Sequence, residues 1–108
     1  MKIKDLKGIA LDLAGLLDYQ DDSVVSREII KKDTGTVTLF AFDKGEGLSE
    51  HTAPFDALAH ILEGELEIAI SGVPMRLKTG EIVIMPAGEP HSLKAMAKSK
   101  MLLTMIKS

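Results

Sequence analysis

Short runs of alternating apolar and polar residues, separated by turn residues, extend from residue 23 to the end of the sequence. In one of them, Leu66, Ile68 and Ile70 alternate with Glu65 and Glu67, which is the period of a strand with one buried face. Glycine, proline and aspartate interrupt the runs about every eight to twelve residues, and no helical pattern lies between them. The pattern predicts an antiparallel, all-β sandwich or barrel. Its strands are predicted at residues 24–31, 36–42, 48–53, 57–63, 65–71, 73–77, 81–85, 91–97 and 100–106.

The first 22 residues follow a different pattern. Their apolar residues recur at spacings of three and four, at Leu6, Ile9, Leu13, Leu16 and Leu17. This stripe predicts a short amphipathic helix, interrupted by Gly8 and Gly15; the alternative is an arm that lies across the sheet or across a partner subunit. The chain therefore divides into an N-terminal helix or arm, residues 1–22, and a barrel, residues 23–108.

The last predicted strand is apolar on both of its faces. One face carries Met101, Leu103 and Met105, and the other carries Leu102, Thr104 and Ile106. A strand with two apolar faces is buried on both sides, whereas the outer face of a single small barrel would contact water. We therefore expect a second subunit to cover that face and the protein to form a homodimer.

Composition excludes several functional classes. The 108 residues include no cysteine, which excludes thiol nucleophiles, cysteine zinc sites, iron–sulfur clusters and disulfides. The net charge of −3 and the scarcity of aromatic residues (4%) argue against nucleic-acid binding. No apolar run approaches the roughly 20 residues of a membrane span, and no signal-peptide cleavage site follows the N-terminal stripe. We expect no membrane partner and a cytoplasmic location.

Two of the three histidines lie in glycine- and proline-rich segments where a turn leads into a strand. His51 lies in GEGLSEHTAPFDALAHILEG, residues 45–64, and His91 ends GEIVIMPAGEPH, residues 80–91. Glycines permit tight reversals, and Pro86 and Gly88 form the turn that delivers His91 to its strand. If the two histidines point into one barrel, their imidazoles can share a metal ion or a substrate.

These two segments resemble the paired motifs of the cupin superfamily, and the resemblance covers residues 35–106. It implies a double-stranded β-helix, or jelly-roll barrel, with a ligand or metal site in its mouth. The most similar members are small single-domain bacterial cupins with HTAPFDA in the first motif, whose functions are mostly unassigned. In metal-binding cupins the first motif supplies two histidines and a glutamate, and the second motif supplies a third histidine. His51 and His91 match that pattern, but Ala53 and Ala57 replace the other two ligands.

Two further polar residues have alternative roles. Asp56 is adjacent to the position of the missing glutamate and is a candidate third metal ligand; alternatively, it caps the turn that follows Pro54 and Phe55. His60 shares the outer face of its strand with Leu58 and Leu62. It is therefore expected to be a dimer-contact or surface residue.

The alanines leave space beside His51, and the walls of the resulting pocket are predicted to include Ala53, Ala57 and Met85. The leading hypothesis is a small-molecule-binding cupin in which His51 and His91 line an internal pocket. In this hypothesis, the two histidines also bind one divalent ion (Mn, Fe, Ni or Zn) weakly, or the protein has no cofactor. The first alternative is a metal-dependent enzyme, resembling a dioxygenase or isomerase, that acts on a small organic substrate. The second is metal-free acid–base catalysis by the histidine pair.

Overall fold

The computed structural model describes residues 6–107, and its nine strands confirm the all-β prediction. The strands are β1 (Val24–Lys32), β2 (Gly35–Phe42), β3 (Gly47–His51), β4 (Ala57–Glu63), β5 (Glu65–Ile70), β6 (Val73–Lys78), β7 (Ile82–Met85), β8 (His91–Ala95) and β9 (Ser99–Ile106). Each lies within a few residues of a predicted strand. Among the described residues no helix is long and apolar enough to cross a membrane.

The strands form two antiparallel sheets. The five-stranded sheet has the order β1-β2-β9-β4-β7, and the four-stranded sheet has the order β3-β8-β5-β6. Most hydrogen-bonded neighbours are distant in sequence, as in the pairs β2–β9 and β3–β8. This topology confirms the jelly-roll barrel.

The core lies between the two sheets. On β4 the inward residues Ala57, Ala59 and Ile61 are 0–2% exposed, whereas the intervening residues are only partly buried. The same alternation places Leu66 and Ile68 of β5 in the core. The core residues are Phe42, Ala57, Ala59, Ile61, Leu66, Ile68, Leu77, Met85, Leu93, Ala95 and Met101.

Residues 6–22 form an arm instead of the predicted amphipathic helix. Its one helical element is a single 3-10 turn at Ala14–Leu16. Gly8 has a φ of 75°, a left-handed conformation that interrupts a right-handed helix. Residues 1–5 of the predicted helix or arm, and Ser108, lie outside the described residues.

The arm lies against the outer face of the five-stranded sheet. Three hydrogen bonds hold it there: from Arg27 to the Leu16 carbonyl, from Lys100 to the Ala14 carbonyl and from Tyr19 to the Glu63 carboxylate. Leu39 lies opposite Arg27 in register, and Ala41 lies opposite Lys100. They are 0% and 1% exposed, although they lie outside the main core cluster. The arm therefore covers one end of this face.

Candidate functional site

The pairing of β3 with β8 brings the two motif histidines together. His51 lies directly opposite His91 in the register of the pair. A close approach of the two strands requires glycine at position 47, because a Cβ atom there would lie 2.0 Å from the carbonyl oxygen of Leu93. A register shift between Leu48 and His51 is the kind of irregularity that re-aims a side chain at the end of a strand.

The two imidazoles are in contact. Their Nε2 atoms are 3.2 Å apart, and the ring centroids are 4.4 Å apart with the planes inclined by 70°. His91 is 5% exposed, whereas His51 is exposed. The pair thus connects the inside of the barrel with its surface, as expected for residues in the mouth of a barrel.

The backbone orients both rings in the same way. Nδ1 of His51 is 2.7 Å from the carbonyl oxygen of Ser49, and Nδ1 of His91 is 3.3 Å from that of Glu89. A carbonyl oxygen only accepts hydrogen bonds, so these contacts favour a hydrogen on Nδ1 of each ring. If both rings are neutral and in that tautomer, a proton or a metal ion between the two Nε2 atoms would satisfy both lone pairs. If one ring is in the other tautomer, its Nε2–H donates to the Nε2 of its partner.

The electrostatics of the pair limit how many protons it holds. Burial lowers the pKa of His91, and the proximity of His51 lowers it further, while the carbonyl of Glu89 acts in the opposite direction. A second positive charge beside the first is therefore unfavourable. Neutral His91 is the form that binds metals.

The pair fits a metal ion as two adjacent ligands. Two nitrogens 3.2 Å apart can both lie about 2.1 Å from one ion, and they then subtend an angle of about 100°. This angle lies between the octahedral and the tetrahedral value. Histidines that bind metals usually donate the other ring N–H to a carbonyl or carboxylate, and Nδ1 of each ring here lies beside a carbonyl that can accept such a bond. Within residues 6–107, however, no three histidine, cysteine, aspartate or glutamate side chains form a metal-binding group.

Asp56 is not grouped with the histidines. Its Oδ1 accepts a hydrogen bond from the backbone N–H of Ala87 at 2.9 Å. Nearby, the carbonyl of Ala53 accepts one from the N–H of Gly88 at 2.8 Å. These two bonds tie the 52–56 loop to the turn that leads into His91. The Asp56 carboxylate therefore stabilises a turn 31 positions away, whereas the sequence alternative to metal ligation was a cap on the turn at Pro54 and Phe55.

The predicted pocket walls occupy two environments. Ala57 and Met85 are register partners on β4 and β7, and both are 2% exposed on the inner face. Ala53 is only partly buried in the loop after β3. Two cavities of about 430 and 200 Å³ lie elsewhere, along β1 and at the β1–β2 turn, and neither is lined by a histidine.

The third histidine lies apart from the pair. His60 is partly buried between the inward residues Ala59 and Ile61 of β4, so it points to the outer face as predicted. The residues that sequence reasoning missed are Ser49 and Glu89, whose carbonyls orient the two imidazoles. Each stands two positions before its histidine. They act through the backbone, which carries no residue-type signal.

Comparisons with known proteins agree with this architecture. Residues 38–107 match the cupin domain family. A conserved protein of unknown function from Streptococcus pyogenes is 35% identical, with a TM-score of 0.89 over 94% of this chain and 89% of that one. A cupin 2 conserved barrel domain protein from Leptotrichia buccalis is 37% identical, with a TM-score of 0.87, over 90% of this chain and 47% of that one. A cupin superfamily protein from Desulfitobacterium hafniense is 28% identical, with a TM-score of 0.90 and complete coverage of both chains. A search of curated proteins found no match.

Proposed function

The chain belongs to the cupin family, and from that premise we propose that it binds a small molecule at the mouth of its barrel through His51 and His91. The same two imidazoles coordinate a divalent transition metal ion weakly. The observation that carries the proposal is the 3.2 Å contact between the two Nε2 atoms. Each Nδ1 contacts a backbone carbonyl, which favours a hydrogen on Nδ1 and a lone pair on each Nε2.

The chemistry of the pair suits an anionic or carbonyl-containing ligand. When one Nε2 carries a proton, the pair has a single positive charge, and a carboxylate or carbonyl oxygen of a ligand can accept that N–H in place of the other Nε2. Ala57 and Met85, buried register partners on β4 and β7, would form the apolar inner wall that ligand pockets commonly have. A small, partly apolar carboxylic acid therefore represents the ligand class.

An enzymatic function is the second candidate, and one observation favours it. Two protein ligands leave several coordination positions for water or substrate, and open positions are a property of catalytic metal sites. A bound divalent ion would supply a Lewis acid that polarises a substrate oxygen. His91, buried and with a lowered pKa, would remain neutral near neutral pH and could accept a proton.

Metal titration tests the proposal directly. The untagged protein, first treated with chelator and then dialysed, is titrated with Mn²⁺, Fe²⁺, Ni²⁺ and Zn²⁺ by calorimetry. We expect about one ion per chain, with binding at least tenfold weaker in His51→Ala and in His91→Ala, since even residues that only orient a ligand contribute 10- to 100-fold. His60→Ala is the matched control and should bind like the wild type. Binding that is unchanged in the His51→Ala/His91→Ala double variant would place the metal elsewhere and refute the proposal.

Ligand binding is tested separately, in chelator, so that the metal and the small molecule are distinguished. A panel of short-chain carboxylic and keto acids is screened by chemical-shift perturbation of the histidine ring protons. The proposal expects at least one acid to shift the His51 and His91 resonances but not those of His60. If none of the acids perturbs the pair, the carboxylate class is wrong.

A further inference from the structure

A cavity lies between the N-terminal arm and the end strand of the five-stranded sheet. It measures about 430 Å³ and is lined by Leu6, Lys7 and Leu11 of the arm and by residues 27–32 of β1, the strand at one end of that sheet. This volume lies within the range of about 300–1,000 Å³ that is typical of small-molecule sites. The cavity is separate from the mouth of the barrel, since neither His51 nor His91 lines it.

The local charge of this cavity is opposite to that of the whole chain, which has a net charge of −3. The cationic residues that line it are Lys7, Arg27, Lys31 and Lys32. The one carboxylate in the lining belongs to Glu28. It lies 4.0 Å from Nζ of Lys31, and both side chains are more than half exposed, so water screens this pair. The excess of positive charge favours an anionic ligand.

The remaining lining residues give the cavity an apolar wall. They are Leu6, Leu11, Ile29 and Ile30. Leu11 is 38% exposed and Ile30 is 51% exposed, so a ligand with an apolar group gains free energy by removing their surface from water. An inorganic anion gains nothing from this wall. The lining therefore favours a molecule that has both an anionic and an apolar part.

The edge of β1 is poorly suited to pairing with another strand. Its register with β2 shifts between Glu28 and Ile30, next to the cavity, and the strand ends with Lys31 and Lys32. Irregular pairing and lysines at a sheet edge are two features by which proteins prevent strand addition. A compact molecule fits this edge better than an extended peptide does.

We propose that this cavity binds a small phosphate monoester that carries an apolar group. The lining part of β1 has three cationic side chains and one carboxylate, which leaves two positive charges against the nearly two negative charges of a phosphate monoester. The guanidinium of Arg27 donates a hydrogen bond to the Leu16 carbonyl from one of its nitrogens. Its other N–H groups can bind phosphate oxygens. The apolar group of the ligand lies against the leucines and isoleucines.

The first test uses hexyl phosphate as the probe and the amide resonances of the full chain as the readout. Hexyl phosphate should shift the resonances of residues 6–11 and 27–32. It should bind at least about tenfold more tightly than methyl phosphate, because it buries five more methylenes. The His51→Ala/His91→Ala variant should bind it like the wild type, so this proposal and the function at the mouth fail independently. Shifts confined to any other part of the chain, or equal affinity for the two phosphates, would overturn the proposal.

The second test changes the charge of the lining in both directions. Lys31→Gln/Lys32→Gln should weaken the binding of hexyl phosphate about fivefold or more, and Glu28→Gln should strengthen it about twofold or more, because the carboxylate repels the phosphate. Loss of folding cannot explain a gain in affinity. Lys78→Gln is the matched control, since Lys78 is exposed on β6 of the other sheet, and it should bind like the wild type. Unchanged affinity in both lining variants would refute the proposal.

A phosphate monoester also occurs on the surface of membranes that contain phosphatidic acid, and vesicles of that lipid distinguish the two sources. A cavity receives a single small molecule, whereas a membrane attracts any exposed basic cluster. We therefore expect the protein to stay in solution when the vesicles are pelleted. Co-sedimentation that is lost in Lys31→Gln/Lys32→Gln would assign the basic side chains to a membrane surface and overturn the small-molecule assignment.

Discussion

The mouth of the barrel and the outer face of the five-stranded sheet each contain histidine on a β-strand, but the register gives these histidines different neighbours. At the mouth, His51 lies opposite His91, so two imidazoles meet at 3.2 Å. On the outer face, His60 lies between Ile82 and Leu102. The cross-strand partner, more than the residue itself, decides whether a histidine has a polar function or lies within an apolar surface.

The two regions also differ in how the backbone is constrained. At the mouth, a glycine permits close strand approach, carbonyls orient both rings, and the 86–90 turn is tied to the 52–56 loop. Around His60 on the outer face, the pairing of β4 with β7 and β9 is regular. A site for a small ligand needs fixed geometry, whereas a sheet-on-sheet contact needs mainly apolar area.

The largest effect on this comparison is expected from Gly47→Ala, which disturbs the pairing of β3 with β8. A Cβ atom at position 47 would lie 2.0 Å from the carbonyl oxygen of Leu93, so the strands must separate. We expect a loss of about 3 kcal/mol in the free energy of unfolding in urea, together with loss of metal binding.

Gly72→Ala is the control for this substitution. Gly72 has a φ of 79°, but a Cβ atom added there would meet nothing within 4 Å. The variant therefore isolates the cost of the left-handed backbone, about 1 kcal/mol. Equal losses for the two variants would mean that close strand approach at position 47 does not matter.

Alternation along the chain was sufficient to predict the sheet. Residues such as Ala57, Ala59 and Ile61 bury every second side chain of β4, and this period is a local property that a sequence shows directly. The N-terminal stripe was ambiguous because spacings of three and four arise in a helix but also in an irregular arm. The contacts that hold the arm in place are not local: the hydrogen bond from Tyr19 to Glu63 joins residues 44 positions apart.

The candidate site was only partly predictable. The spaced motifs identified His51 and His91, because glycine and proline turns are visible in a sequence. They did not indicate the carbonyls of Ser49 and Glu89, since every residue has a carbonyl. The role of Asp56 depended on which loop packs against it, and Ala87 is 31 positions away.

The next effect in size is expected from Asp56→Ala, which removes a hydrogen bond between the 52–56 loop and the turn that leads into His91. Loss of the 2.9 Å bond from the Ala87 N–H to the carboxylate should cost about 1.5 kcal/mol in the free energy of unfolding. Asp56→Asn keeps an acceptor oxygen and should lose less. Metal affinity measured on both variants separates positioning from ligation: Asp56→Asn should bind nearly as well as the wild type. If it loses as much affinity as His51→Ala does, Asp56 is a ligand after all.

A smaller effect is expected from Tyr19→Phe, at the covered end of the outer face. The tyrosine hydroxyl donates a 2.6 Å hydrogen bond to Glu63, and removing it should cost about 1 kcal/mol in the free energy of unfolding. Burial and the adjacent carboxylate raise the pKa of Tyr19, so its phenolate should form at higher pH than that of an exposed tyrosine. Glu63→Gln should lower that titration point. A normal titration of Tyr19 would show that the arm is undocked in solution.

The smallest effect concerns the pH dependence of stability at the mouth. Burial and His51 lower the pKa of His91 in the folded protein, so the unfolded chain binds its proton at higher pH than the folded one. This contribution to stability is complete above the ordinary histidine pKa of about 6.5 and is lost as the pH falls below it. Urea unfolding in chelator at about pH 7.5 and about pH 5.5 should show a larger loss for the wild type than for His91→Gln. His51→Gln removes the effect of His51 on the pKa of His91 but leaves the effect of burial. Its loss of stability between the two pH values should therefore be intermediate. If His91→Gln loses as much stability as the wild type, then burial does not lower the pKa of His91 in solution.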